Sequence, residues 1–191
     1  MDAPQAGSLA EGFALFATDL GFCSIAWGPG GICAVQLPQQ SELTLRQRMR
    51  RQFATAQEMT PTPEVQHAIN GVVALLHGER VDLSGIALNM TGVPPFHQRV
   101  YELARAIPVG STLTYGEVAA QLGEPGAARA VGQALGANPF APVVPCHRVM
   151  AAGGKAGGFS ATGGIRTKLQ LLLMEGATFG EPGLFDSNCL T

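Results

Sequence analysis

The sequence predicts an α+β protein, with a small N-terminal α/β domain over residues 1–91 and a helical C-terminal domain over residues 92–191 that contains a helix-turn-helix. Three observations carry this. Two β-prone runs flank a Gly/Pro turn near the N-terminus, amphipathic helices follow them, and after "MTGVPP" (90–95) the chain changes to short helices separated by tight turns. A chain of 191 residues is long enough for one large or two small cores.

"GFCSIAW" and "GICAVQL" on either side of "GPGG" predict a hairpin. In "SELTLRQRMRRQFATA", Ser41 is placed to cap a helix whose Leu45, Met49 and Phe53 share one face. Its Arg46, Arg48, Arg50 and Arg51 read first as a solvated face, and alternatively as a contact for an acidic partner. "PEVQHAINGVVALLHGE" predicts a second helix with Val65, Ile69, Val72 and Leu76 inward, and "VDLSGIAL" (81–88) a further strand.

In the second half, "FHQRVYELARAI" predicts a helix with Phe96, Val100, Leu103 and Ile107 on one face, ended by Pro108 and Gly110. Thr114 and Glu117 form a T-x-x-E capping box at the start of the next helix, and Gly123 stands where its C-terminus needs a glycine. "EPGAARAVGQALGANP" then predicts a helix from near Pro125 to before Pro139, and the two short helices with a brief turn suggest helix-turn-helix. The second is built almost wholly of small residues, with Arg129 its one charge. A small-residue helix packs tightly on a neighbour or enters a DNA groove, and in a groove Arg129 would fill the space of a flipped base.

Composition narrows the function. The apolar runs are far shorter than the roughly 18 residues of a membrane span. The first dozen residues lack a basic start and an apolar stretch, so no secretory signal is expected and a cytoplasmic location is the expectation. The four cysteines form no CxxC pair and no zinc spacing, so neither a disulfide framework nor a metal is expected, and convergence of Cys23, Cys33, His67 and His77 on a metal is the minor alternative. A net charge of −2 argues against bulk binding to nucleic acid, but its distribution is uneven. Residues 1–95 carry five Arg against eight acids, whereas residues 96–175 carry five Arg and two Lys against four Glu, a weak pointer to a polyanion.

The chemistry points to "NPFAPVVPCHRVM" (138–150). A thiol beside basic groups has its thiolate favoured, and the thiolate is the nucleophile. Pro145 before Cys146 and His147, with a Gly-rich loop after them, predicts a turn that exposes both. A thiol, a base and a group to orient the base are the parts of an activated nucleophile, with Glu175 and Asn138 as candidates for the third part.

These segments, "TYGEVAAQLG", "AARAVGQALGANPFAPVVPCHRV", "GGFSATGG" and "KLQLLLMEGA", resemble the O6-alkylguanine-DNA alkyltransferases, the methylated-DNA–protein-cysteine methyltransferases. The resemblance is close over residues 92–177 and loose before them, where it implies a small RNase H-like domain. It implies DNA repair by direct reversal, in which the alkyl group of an O6-alkylguanine, with O4-alkylthymine as a secondary substrate, passes from duplex DNA to the protein's own Cys146 after base flipping. Each molecule reacts once, as a monomer and without a cofactor.

By the same resemblance Cys146 is the acceptor, His147 the base acting through a water, and Glu175 the carboxylate that orients His147. Asn138 is the hinge between the recognition helix and the active-site turn, and Tyr115 the phenol that assists the departing guanine. Arg129 is the finger that replaces the flipped nucleotide, with Ala128 and Gly132 on the same DNA-facing helix. Ser160 hydrogen-bonds O6, and Phe159 lines the base pocket.

Two departures stand out. "ALGANP" lacks the Arg or Lys that relatives carry there, which predicts weaker and less salt-dependent DNA binding, and Thr162 stands where a Pro or aromatic is frequent. Three competing readings explain less. A helix-turn-helix regulator leaves "PCHRV" and Glu175 without a role, a lesion-binding relative without the acceptor would not retain Cys146, and a cysteine hydrolase needs an oxyanion hole that the motif does not offer.

Overall fold

A computed structural model describes residues 10–39, 41–158 and 163–177, a mixed α+β chain. Strands β1 (Gly12–Thr18), β2 (Gly21–Gly28) and β3 (Gly31–Gln36) form an antiparallel meander. The short β4 (Gln57–Glu58) joins β1 in parallel, giving the order β3-β2-β1-β4. The expected hairpin is β2–β3, while β1, "GFALFAT", was not anticipated from the sequence. Gly31 has φ +107° and a Cβ there would lie 2.6 Å from the Ala87 carbonyl, so the turn closes against residues 87–89 only because no side chain intervenes.

Alternation along the strands divides the apolar residues between two faces. Ala14, Cys23, Ile25 and Val35 meet helix α2 (Pro63–Leu76) through Val65, Ile69, Val72 and Leu76. Phe13, Ala26, Cys33 and Ala34 meet helix α1 (Glu42–Gln52) and the residue that ends it through Met49 and Phe53. Ser41 caps α1 as expected, its hydroxyl accepting from Thr44 N at 3.1 Å. The arginines of α1 are partly paired, with Arg46 donating to both Glu42 and Glu58.

Residues 81–88 do not form the expected strand; only Leu88 makes an isolated bridge, to Ile32. The Asp82 carboxylate accepts from Ser84 N at 2.8 Å and from its hydroxyl at 2.9 Å, which folds the segment into a turn. Arg105 then takes the carbonyls of Leu83, Ser84 and Ile86, acceptors that a neighbouring strand would otherwise use.

Helix α3 (Pro95–Ala106) buries Val100, Tyr101 and Ala104, while Phe96 and Leu103, assigned to the inner face from sequence, are only half-buried. After β5 (Leu113–Thr114), helix α4 (Tyr115–Gln121) starts with the capping box: Glu117 N donates to Thr114 Oγ1 and Thr114 N to Glu117 Oε2. Gly123, at φ +78°, ends it. Helix α5 (Ala128–Gly136) packs on α3 and α4 through Val131, Ala134 and Leu135.

A 3₁₀ turn over Cys146–Arg148 leads into β6 (Val149–Met150), which pairs in parallel with β5 and so brings Tyr115 beside the turn. Helix α6 (Gly164–Met174) covers this assembly. Val143 and Leu171 belong to the same apolar cluster as the β-sheet and α2, and Val35 N donates to the Pro139 carbonyl at 2.8 Å across the outer edge of β3. No helix among the described residues is long and apolar enough to cross a membrane.

Candidate active site

Pro145 ends the buried run Val143–Val144 and begins a tight turn, in which Arg148 N donates to the Pro145 carbonyl at 2.9 Å and Cys146 N to the Val144 carbonyl at 2.8 Å. The expectation that the turn exposes Cys146 and His147 is corrected: Cys146 is 6% exposed and His147 0%. The turn is tucked inward because Val144, Cys146 and Val149 all join the core built by α3, α4 and α5.

His147 Nε2 lies 2.9 Å from Glu175 Oε1. Arg148 Nε and Nη2 donate to the same carboxylate at 2.9 and 2.8 Å, and its Nη1 donates to the Ile107 carbonyl at 2.6 Å. Burial alone would raise the Glu175 pKa, but the hydrogen bonds from His147 and Arg148, and their charges, outweigh it and hold the carboxyl at about 2. Burial lowers the His147 pKa despite Glu175, so the imidazole is neutral and Nε2 carries the proton given to the carboxylate. Nδ1 is then an acceptor, buried and without a hydrogen-bond partner among the described residues.

Burial also pushes the Cys146 thiol up, opposed by a hydrogen bond from Asn138 and by the charge of Lys168. Asn138, the first residue after the cap of α5, accepts from Phe140 N at 2.9 Å and donates to the Val144 carbonyl at 2.9 Å, bracing the approach to the turn. Of the two candidates for orienting His147, Glu175 makes the contact, and Asn138 acts on the turn.

Lys168 was not singled out from the sequence. It is fully buried in α6, its Nζ donating to the Val149 carbonyl at 2.5 Å and lying 5.6 Å from the centre of the Tyr115 ring. Burial lowers its pKa to about 8, partly offset by Cys146. Helical spacing carried the signal, because Lys168 shares the inner face of "KLQLLLM" with Leu171 and Leu172.

A cleft of about 490 Å³ opens onto Cys146 and is lined by Tyr115, Ala128, Arg129, Gly132, Leu135, Gly136 and Gly158. Tyr115 Oη donates to the Gly158 carbonyl at 3.4 Å, and its pKa is raised by burial and then by Cys146. Arg129 stands exposed in the first turn of α5. Phe159 and Ser160 lie outside the described residues. Of the ten site residues read from the sequence, Tyr115, Ala128, Arg129, Gly132 and Cys146 line this cleft, His147 follows Cys146 in the same turn and pairs with Glu175, and Asn138 braces that turn. The set Cys23, Cys33, His67 and His77 does not gather: among the described residues no group of three His, Cys, Asp or Glu side chains is placed to hold a metal ion.

A buried thiol at the floor of an open cleft, backed by a neutral imidazole on an ionised carboxylate, is equipped for nucleophilic attack on a group presented from outside. Comparison with known proteins gives this site its family. Residues 95–177 match the family model described as the DNA binding domain of 6-O-methylguanine DNA methyltransferase.

The methylated-DNA–protein-cysteine methyltransferase of Salmonella typhimurium is 54% identical over 86 residues, 45% of this chain and 49% of the relative. The chain thus spans about half the length of the Salmonella relatives it matches. That of Methanothermobacter thermautotrophicus is 34% identical over 154 residues, covering 81% of this chain and 79% of the relative. Among solved structures, Mycobacterium tuberculosis OGT in complex with DNA superposes with a TM-score of 0.67 at 34% identity, covering 86% of this chain and 92% of that one. The O6-methylguanine-DNA methyltransferase of Pyrococcus kodakaraensis gives a TM-score of 0.68 at 27% identity, over 86% of this chain and 99% of that one. Shared along most of its length with such relatives, the chain belongs to the methylated-DNA–protein-cysteine methyltransferase family.

Proposed function

We propose that the protein repairs DNA by direct reversal, moving the alkyl group of an O6-alkylguanine in duplex DNA onto Cys146 Sγ, once per molecule and without a cofactor. The observation that carries this reading is that Cys146 lines the cleft together with residues of α5 and shares its turn with a His147 paired to Glu175. Family membership and the relatives' names support it.

The thiol proton passes to His147 Nδ1 through a water, and the imidazolium is stabilised by Glu175. The thiolate displaces guanine from the alkyl carbon: the S–C bond forms as the O6–C bond breaks, and the guanine leaves with a proton given by Tyr115. His147 returns the thiol proton to Tyr115 or to solvent, so the net exchange is one alkyl group for one hydrogen. A thioether is not hydrolysed, which makes the reaction suicidal. Asn138 and Lys168 favour the thiolate by a hydrogen bond and by charge.

In this reading α4 and α5 act as a helix-turn-helix. Ala128 and Gly132 let α5 approach the DNA, Arg129 takes the place of the flipped nucleotide, and Phe159 and Ser160 receive the base. The division falls near residue 92, between an RNase H-like unit and the alkyltransferase unit, and the protein works as a monomer in the cytoplasm. The same pocket would take O4-alkylthymine as a second substrate.

Intact mass after mixing with a duplex carrying one O6-methylguanine tests the proposal. One methyl in place of one hydrogen, capped at one per molecule and absent in Cys146→Ala, is expected. Binding to the lesion without any gain in mass would replace alkyl transfer with lesion recognition.

A further inference from the structure

Tyr101 in α3 is fully buried, and no step above uses it. Its hydroxyl donates to the Ala134 carbonyl at 2.9 Å, and its ring meets Phe140 edge-on, with centroids 6.1 Å apart and planes at 84°. The two contacts straddle Asn138, one on the last turn of α5 and the other on the loop that runs to Cys146.

The Ala134 carbonyl keeps only a shared backbone donor where α5 ends. An uninterrupted helix would bond it to Asn138 N, but that N–H turns to the Leu135 carbonyl at 3.3 Å, and Ala137 N divides itself between Ala134 at 3.2 Å and Gln133 at 3.1 Å. The Tyr101 phenol completes the turn from a neighbouring helix. Beyond it, Asn138 accepts from Phe140 N and donates to the Val144 carbonyl, two residues before the thiol.

We propose that Tyr101 is a positioning residue for alkyl transfer, a buried clamp that fixes helix α5 in register with the Cys146 turn. The inference rests on the alkyl-transfer reading. A lesion in duplex DNA is placed by α5, whereas Sγ is placed by the turn, so in-line attack requires the two to hold a fixed relation. A free nucleoside enters the cleft without being carried there by α5, and its reaction does not depend on that relation.

The experiment compares wild type with Tyr101→Phe, which removes only the hydroxyl, on two substrates: a duplex with one O6-methylguanine, and free O6-methyl-2′-deoxyguanosine. Because each molecule reacts once, the amplitude counts folded protein and the rate constant at saturating substrate reports geometry. Tyr101→Phe is expected to slow the duplex reaction about ten-fold, the scale of loss when reacting groups are slightly misplaced, while the nucleoside reaction is unchanged. Phe140→Leu, which keeps the hydroxyl and loosens the ring contact, is expected to show the same selective loss, and it decides the matter by the same criterion if Tyr101→Phe yields no reactive protein. An unchanged duplex rate, or equal loss on both substrates, would overturn the clamp. Absence of transfer by the wild type itself would instead overturn the alkyl-transfer reading.

Discussion

His147 Nε2 and Glu175 Oε1 lie 2.9 Å apart with both side chains shut away from water, so the imidazole is held in one tautomer and one orientation. Arg148 shares the same carboxylate. Glu175→Gln therefore strands a buried guanidinium as well as releasing the imidazole. It is expected to cost about 3–5 kcal/mol, the range for breaking a buried pair from one side, in a denaturant titration. The rate of methyl transfer should fall at least about ten-fold, toward the contribution of a positioned general base, and an unchanged rate would remove His147 from the reaction.

The same pair sets the response to acid. The folded state lowers the pKa of His147 below 6.5 and that of Glu175 from 4.5 to about 2, so the unfolded chain binds more protons as pH falls. Stability contributed by these groups is complete above pH 6.5 and declines through the acid range to about pH 2. Melting temperature measured from pH 7.5 downward is expected to drop in wild type. The slope should be shallower in Glu175→Gln, and equal slopes would place the acid sensitivity elsewhere.

Lys168 is the cation whose charge favours the Cys146 thiolate. Lys168→Met removes that charge while keeping the chain's bulk, so the Cys146 pKa is expected to rise further. The rate of Cys146 alkylation by iodoacetamide at pH 7, where Lys168 is still charged, should fall in the variant. An unchanged rate at that pH would show that Lys168 serves only to hold the Val149 carbonyl.

Arg129 is exposed, so Arg129→Ala should leave the melt unchanged. Its expected effect is confined to duplex substrate, where the rate at limiting protein falls about ten-fold or more while free O6-methyl-2′-deoxyguanosine reacts as before. Equal rates on both substrates in the variant and wild type would leave the arginine without a part in base flipping.

A methyl group on Cys146 adds volume where the residue is only 6% exposed and packed in the core. The alkylated protein is expected to be about 1–3 kcal/mol less stable than the free thiol form, as for an overpacked core. Calorimetry of the two forms checks this, and coincident melts would mean that the cleft absorbs the added group.

The local signals read from the sequence located most of the helices. Ser41, the Thr114–Glu117 box and Gly123 act through neighbours within four residues and could be recognised one at a time. Residues 81–88 were misread because Arg105, twenty residues away, decides their backbone partners. The site followed the same rule. Cys146 and His147 were visible as neighbours, Glu175 stood with Asn138 as a candidate partner for the base, and Lys168 was passed over although its helical spacing places it on the apolar face with Leu171 and Leu172. The burial of the thiol was missed because it depends on helices α3 to α5 closing over the turn.

The bond from Val35 N to the Pro139 carbonyl also matters for the solubility of fragments. An outer strand with free amide groups is a template for pairing with other chains, and proteins that leave one open are prone to aggregate. Here the far end of β3 is closed by the loop leading to Cys146, and Val143 and Leu171 supply part of the apolar cover of the same sheet. A fragment cut near residue 92 would carry a raw strand edge and an uncovered apolar face, so the second half of the chain shields the first from pairing with other copies.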